Sequence, residues 1–386
     1  MIAEKNPASD RDWMKRALQL AELGRGRTHP NPMVGAVVVK NGKRVGEGYH
    51  PESGQPHAEV FALRQAGEQA RGATLYVTLE PCCHYGKTPP CVPAILASGV
   101  KRVVVAMADP YEAVAGRGLE QLRRAGVQVE SGLCEKEARI LNKAFLTYVT
   151  LKRPYITWKY AMTLDGRIAS ATGDSYWITG EAARVRVHEL RNQVQAVITG
   201  VGTVLADDPQ LTTRLPLGHP DMDRPIRHPI RIVLDSQART PPEAKICQPE
   251  TPGETWIVVA ESADAERRRR LEETGVRLIE LPVETKAGSR HVSLSALMSY
   301  LAEQQLVHAL LECGSRLAGA FFDAGLIDEV YSFQASKFIG GERAPGPLGG
   351  RGISLMADAR RLRSWDVEKI GEDLLIKGDL NVHWAG

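Results

Sequence analysis

The sequence predicts two successive α/β domains, and three observations carry that reading. Short β-branched runs alternate with amphipathic helical stretches through both halves of the chain, the pattern of strands layered with helices. The chain has 386 residues, a length that favours roughly two or three domains. Between the halves, Ala138, Leu141, Ala144, Phe145 and Tyr148 repeat at helical spacing until Lys152-Arg153-Pro154 stops them. The boundary is expected there, giving residues 1–151 and 152–386.

In the first half, Ser9-Asp10-Arg11-Asp12 reads as a capping box opening a helix that ends at Gly24. His29-Pro30-Asn31-Pro32 cannot be helical, because each proline restrains the residue before it. It is either a plain loop or a ligand loop in which Asn31 offers its amide to a heterocycle. Residues 34–40 and 43–49 flank Asn41-Gly42, whose positive φ values suit a tight hairpin turn. A helix is expected over 58–70, a strand over 74–79, a helix over 91–98 and a strand over 101–107. Further alternation is expected through 119–129.

The chemistry of this half lies at the element junctions. His57-Ala58-Glu59 opens a helix, and Cys82 and Cys91 each follow a proline at a strand-to-helix turn. One imidazole and two thiolates are three ligands of a catalytic zinc, with the fourth tetrahedral position open. Zinc lowers the pKa of bound water from about 16 to about 7, and Glu59 is placed to move the proton. This is close to the H-x-E…P-C-x-x-C signature of zinc deaminases, with eight residues between the cysteines in place of two. Cys83 and His84 are competing ligands, and Cys83 is disfavoured because it points away from its neighbour. A closed structural zinc is the alternative, and it would leave Glu59 without a role.

In the second half, strands are expected at 155–162, 196–203, 230–235, 256–260, 277–281, 309–313 and 330–334. Helices are expected from Thr179 to about Asn192 and over 265–274, 294–305 and 317–324. Gly200-x-Gly202-Thr203 and Glu312-Cys313-Gly314-Ser315 each follow a strand, so both are either phosphate cradles or ordinary turns. Arg267 to Arg270, flanked by Glu266, Glu272 and Glu273, reads as a solvated helix face.

Composition excludes several classes. No apolar run approaches the ~20 residues of a membrane span, and Met1 to Pro7 lack the apolar core of a signal peptide. A cytoplasmic protein is expected, without a membrane partner. Six scattered cysteines do not make a disulfide framework in so long a chain. A net charge of +3 and 6% aromatic residues argue against the basic, aromatic-lined groove of a nucleic-acid base deaminase. A zinc-stapled binding protein without catalysis is a second alternative.

With His29-Pro30-Asn31-Pro32, Pro56-His57-Ala58-Glu59-Val60, Thr78-Leu79-Glu80-Pro81-Cys82 and Gly86-Lys87-Thr88-Pro89-Pro90-Cys91, the first half resembles a known domain. That domain is the pyrimidine deaminase of the bifunctional riboflavin-biosynthesis deaminase/reductase family, where the wide cysteine spacing is usual. The resemblance implies a cytidine-deaminase-like three-layer α/β/α fold with His57, Cys82 and Cys91 on zinc. It makes Glu59 the proton shuttle and Asn31 a pyrimidine contact. Cys83 departs from the serine common there. Lys159 to Arg167, Trp177-Ile178-Thr179, Gly202 to Pro209 and Glu312-x-Gly314 resemble the reductase half, which implies a dihydrofolate-reductase-like fold and NADPH.

Carried over by position, Ala161, Trp177, Thr203, Asp207, Ser236 and the run Gly314, Ser315, Arg316, Leu317, Ala318, Gly319 and Ala320 would touch the cofactor. Lys159, Ser175, Arg191, Leu211, Arg214 and Glu312 would touch substrate, with Arg191 and Arg214 suited to a sugar phosphate. Lys159, Asp207 and Glu312 are candidate proton donors, and the role of Arg316 is open. The implied substrate is the small molecule 2,5-diamino-6-(5-phosphoribosylamino)pyrimidin-4(3H)-one. The implied assembly is a homo-oligomer, dimer or tetramer.

Overall fold

The computed structural model describes residues 8–86, 88–112, 114–286 and 289–384. Met1 to Pro7 and Lys87 of the Gly86-to-Cys91 segment lie outside the described residues. The chain divides into two compact units: one runs to Lys152 and takes in His383 and Trp384, and the other is Arg153–Val382. Arg139 donates to the Trp384 carbonyl at 3.2 Å, so the first unit is not one continuous stretch of chain.

In the first unit, α1 (Asp10–Glu22) starts with the expected capping box, Ser9 and Asp12 each bonding the other's main chain. The strands β1 (Gly35–Lys40) and β2 (Lys43–Tyr49) form the hairpin about Asn41-Gly42, both at positive φ. Next come α2 (Ala58–Ala66), β3 (Thr74–Val77), α3 (Cys91–Ser98), β4 (Arg102–Val105), α4 (Arg117–Arg124) and β5 (Gln128–Ser131). The sheet order is β2-β1-β3-β4-β5, with β1 antiparallel to both neighbours and β3, β4 and β5 parallel.

Two glycines show how the layers close. A Cβ on Gly35 would meet the Ala17 carbonyl of α1 at 2.0 Å, and one on Gly48 would meet Phe61 of α2 at 2.5 Å. Gly48 pairs with Ala36, the residue next to Gly35, so the two helices cover opposite faces of one sheet. The helix expected over 135–151 is two: α5 (Glu135–Leu141) and α6 (Lys143–Leu151). Asn142 interrupts them because its side chain bonds both the N–H (2.8 Å) and the carbonyl (2.9 Å) of Met33.

The second unit contains β6 (Tyr155–Met162), α7 (Glu181–Gln193), β7 (Ala196–Gly200), α8 (Val201–Asp207), β8 (Ile230–Leu234), β9 (Thr255–Ala260), α9 (Ala265–Glu272) and β10 (Arg277–Leu281). After these come β11 (Val283–Lys286), β12 (Ser289–Val292), α10 (Leu294–Glu303), β13 (His308–Leu311), α11 (Ser315–Asp323), β14 (Glu329–Gln334), β15 (Ser364–Ile370) and β16 (Asp373–Asp379). Nine strands lie in the order β10-β9-β8-β7-β13-β6-β14-β16-β15, parallel from β10 through β14. β16 runs antiparallel to both its neighbours.

Three features differ from the expectation. Gly200 caps α8 directly, so Gly200 to Thr203 opens a helix where a strand ending in a glycine turn was expected. The hairpin β11–β12 and the closing pair β15–β16 also went unread. No helix among the described residues is long and apolar enough to cross a membrane.

One ion pair ties the middle of this sheet. Asp328, just before β14, accepts from both Arg153 amino groups at 2.7 Å and from the Ile156 N–H at 2.8 Å. Both side chains are buried, so removing one partner strands the other's charge, at a cost of about 3–5 kcal/mol. Asp328→Ala should therefore lower the unfolding free energy of this unit by that amount in urea denaturation.

Candidate functional site

The zinc ligands expected from sequence converge. The ligand atoms of His57, Cys82 and Cys91 lie within 4.8 Å of one another, the only such cluster among the described residues. His57 caps α2 and Cys91 is the first residue of α3. Their sulfurs stand 3.4 Å (Cys82) and 3.3 Å (Cys91) from Nδ1 of His57, so Nδ1 is the ligand nitrogen. The other ring nitrogen meets the Thr88 hydroxyl at 3.1 Å, which fixes the ring as metal-ligating histidines require.

The two thiols are not equivalent. The Cys91 side chain bonds the Cys82 sulfur and, despite burial, pulls its pKa down to about 4; the Cys91 main-chain N–H adds a 3.3 Å bond. The same bond to Cys82 holds the Cys91 thiol protonated. Both sulfurs would ligate zinc as thiolates. Cys83 and His84 lie outside the cluster.

Glu59 lies in the first turn of α2, 3% exposed, and burial raises its pKa. Its Oε2 is buried with no hydrogen-bond partner. A proton-bearing group in the open fourth position would satisfy that oxygen. With one imidazole and two thiols, the donor set fits zinc.

Two anchors were not legible beforehand. The Glu80 carboxylate accepts main-chain N–H bonds from Asp109 (3.2 Å), Gly116 (3.0 Å), Gly118 (2.9 Å) and Leu119 (3.3 Å), pinning the turn that carries Cys82. His50 lies edge-on to His57, with ring centroids 5.2 Å apart. Its Nδ1 is 3.1 Å from the Pro56 carbonyl and its Nε2 is 3.2 Å from Nδ2 of Asn31. Burial lowers the His50 pKa, so the neutral ring donates to Pro56 and accepts from Asn31, orienting that amide.

The second unit has a cleft of about 1480 Å³ at the carboxyl ends of its parallel strands. Of the expected cofactor contacts, Ala161, Trp177, Thr203, Asp207, Ser236, Gly314, Ser315, Arg316, Leu317 and Ala320 line it. Ala318 is fully buried in the core, and a Cβ on Gly319 would strike the main chain of Gly349 at 2.4 Å. Those two stand behind the wall. All six expected substrate contacts of this unit line the cleft: Lys159, Ser175, Arg191, Leu211, Arg214 and Glu312.

Arg191 is engaged in a way the sequence did not suggest. Its Nε and Nη2 donate to Glu312 at 2.6 and 2.9 Å, and its Nη1 donates to the Thr212 carbonyl at 3.1 Å. The fork expected for phosphate is therefore spent on a carboxylate. Burial would raise the Glu312 pKa, but Arg191 and then Lys159, 3.5 Å away, hold it at about 2. Among the described residues the Arg214 side chain bonds only the Thr212 hydroxyl (2.6 Å) and Gln210 (3.2 Å) through Nη1, and it is the freer cation. His188 was also missed: it accepts the Arg214 main-chain N–H at 3.2 Å, and burial first, then Arg191 and Arg214, lower its pKa to about 4.

Residues 7–107 match the zinc-binding region of cytidine and deoxycytidylate deaminases, and residues 154–376 match the RibD C-terminal domain. The chain is accordingly a bifunctional enzyme, a zinc-dependent deaminase joined to a reductase. The riboflavin biosynthesis protein RibD of Aquifex aeolicus is 46% identical over 367 residues, 95% of this chain and 97% of that protein. That of Escherichia coli is 46% identical over 374 residues, 95% and 98% of the two. The solved RibD of Acinetobacter baumannii superposes with a TM-score of 0.85 at 42% identity, covering 96% of this chain and 99% of that one. A diaminohydroxyphosphoribosylaminopyrimidine deaminase/5-amino-6-(5-phosphoribosylamino)uracil reductase from Thermotoga maritima gives 0.80 at 37% identity, covering 96% and 98%. This chain belongs to the RibD family of riboflavin biosynthesis proteins.

Thr88→Val removes the hydroxyl that orients His57 and leaves the three ligands in place. Zinc affinity should fall 10- to 100-fold, roughly the cost of losing such a partner, as read by competition with a colorimetric chelator.

Proposed function

We propose that residues 1–151 deaminate 2,5-diamino-6-(5-phosphoribosylamino)pyrimidin-4(3H)-one. Residues 152–386 then reduce the ribosyl group to give 5-amino-6-(5-phosphoribitylamino)uracil. The observation that carries the first step is the buried, unpartnered Oε2 of Glu59 beside three converging ligand atoms. His57, Cys82 and Cys91 would hold zinc, which would supply the Lewis acid that lowers the pKa of water. Glu59 takes a proton from the attacking water and passes it to a ring nitrogen. It then takes the second proton, from the hydroxyl now on the ring carbon, and delivers it to the amine as the C–N bond breaks, so water enters and ammonia leaves. Asn31, oriented by His50, holds the pyrimidine edge.

In the second step NADPH supplies the hydride, and the chain supplies orientation and charge. Glu312, held ionised by Arg191 and Lys159, is not an acid at neutral pH. Lys159 and Asp207 therefore remain as the proton donors. Arg214 takes the sugar phosphate, and the cleft residues named above take the dinucleotide. The mild charge of +3 and the lack of a membrane-crossing helix among the described residues support a cytoplasmic enzyme acting on small molecules. We place it there as a homo-oligomer, dimer or tetramer, without nucleic-acid or membrane partners.

Glu59→Gln should keep its zinc and lose deamination by about 10²-fold or more. A chelator should stop deamination in the unaltered enzyme and spare NADPH oxidation when the deaminated intermediate is supplied. An unchanged deamination rate in Glu59→Gln would refute this mechanism. Glu312→Gln should lower kcat/KM of the reductase at least tenfold with NADPH binding retained. Steady-state kinetics and fluorescence titration read the two separately.

A further inference from the structure

Ser236, just beyond β8, lines two spaces: the large cleft and a separate polar pocket of about 310 Å³. Gln237, Ser262, Asp264, Arg267 and Arg290 also face the smaller one. The hairpin β11–β12 is the partition. Ser236 Oγ accepts the Val292 N–H at 3.0 Å, which fixes β12 against the end of β8. His291 and Val292 then line the cleft, while Arg290 lines the pocket. The Ser236 hydroxyl hydrogen remains available to a ligand.

The arginines divide in an informative way. In the run on α9, Arg268 pairs with Glu280, Arg269 pairs with Glu266 (2.7 Å) and Glu273 (2.6 Å), and Arg270 reaches Glu243 at 3.6 Å. Among the described residues the Arg267 side chain has no such partner, and neither has Arg290. Both face the pocket. The one acid there, Asp264, caps α9 by accepting the Arg267 main-chain N–H at 2.9 Å, so two guanidinium groups outweigh one engaged carboxylate.

Two guanidinium forks with hydroxyl and amide donors make a site for a phosphate monoester. The ribotide's own phosphate is one source, and a phosphate on the cofactor is the other. Position decides between them. The group expected to meet substrate, Lys159, Arg191 and Glu312, stands on or beside β6, α7 and β13. In the sheet order, β8 lies three strand spacings from β6, about 14 Å at ~4.8 Å each. The pocket is thus at the far end of the cleft from the reacting groups, where an extended dinucleotide has its adenosine.

We propose that Arg267 and Arg290, with Ser236, bind the 2′-phosphate of NADPH and set the preference of the reductase for NADPH over NADH. The inference rests on the reading of the cleft as an NADPH site. The full-length protein and its Arg267→Gln, Arg290→Gln and double variants are titrated with NADPH and NADH by fluorescence, and KM for the ribotide is measured. Arg270→Gln, on the same helix outside the pocket, is the control. The double variant should bind NADPH at least tenfold more weakly and NADH within twofold of the unaltered protein, with the ribotide KM unchanged. Three results overturn the proposal: NADPH affinity unchanged, NADH weakened equally, or ribotide KM raised alone. If the unaltered protein binds neither nucleotide, the cofactor reading falls as well, which separates the two failures.

Discussion

Parallel strand pairing decides where this chain can do chemistry. Parallel strands all end at the same edge of a sheet and pass there into loops and helix N-termini, so free N–H groups and polar side chains collect at that edge. In the first unit β1 is antiparallel to both β2 and β3, which makes β2 and β3 run the same way. His57 follows β2 and Cys82 follows β3, so both arrive at one edge, and Cys91 opens the helix that leaves it. In the second unit the same rule brings the ends of β6, β7, β8 and β13 to one cleft, through Ala161, Gly200, Leu234 and Glu312. The two candidate sites share this rule and no residues.

The sites treat buried charge in opposite ways. In the cleft, Glu312 is fully engaged by Arg191 and approached by Lys159, so its ionised form is built into the fold before any ligand arrives. In the metal centre, Glu59 is left with an unpartnered buried oxygen, which calls for a donor from water or a bound group. The surrounding frame is anchored through Glu80. A carboxylate bonded to four main-chain N–H groups is a satisfied buried charge, and it fixes the turn from which Cys82 projects.

The parts that were legible in sequence depend on neighbours along the chain. The Asn41-Gly42 turn, the capping box at Ser9 and the placing of His57 and Cys91 at helix starts all follow from local rules and are found where expected, while Cys82 lies in the loop between Val77 and Cys91. What was missed depends on contacts distant in sequence. Nothing near Asn142 announces a helix break, because its partner is the Met33 main chain. Gly200 and Gly202 look like a turn, yet the chain passes straight from β7 into α8. Thr88 was in view as part of a recognisable segment, but its role appears only when His57 Nε2 comes within 3.1 Å.

Arginine shows the limit most clearly, since one residue type here takes four roles that sequence context does not separate. Arg153 is locked to Asp328 between strands. Arg231 is buried and donates to Thr255 and to the carbonyls of Thr251, Pro252 and Gly253, so it staples a loop and offers nothing to a ligand. Arg191 looks like a phosphate fork in sequence and is instead the clamp that keeps Glu312 ionised. The run on α9 looks like a solvated face, and three of its four members are paired in that way. The count of available carboxylates separates these cases. A guanidinium that no carboxylate has engaged is the one left to meet a ligand. Among the described residues Arg267 and Arg290 are in that position, beside the large cleft of the second unit.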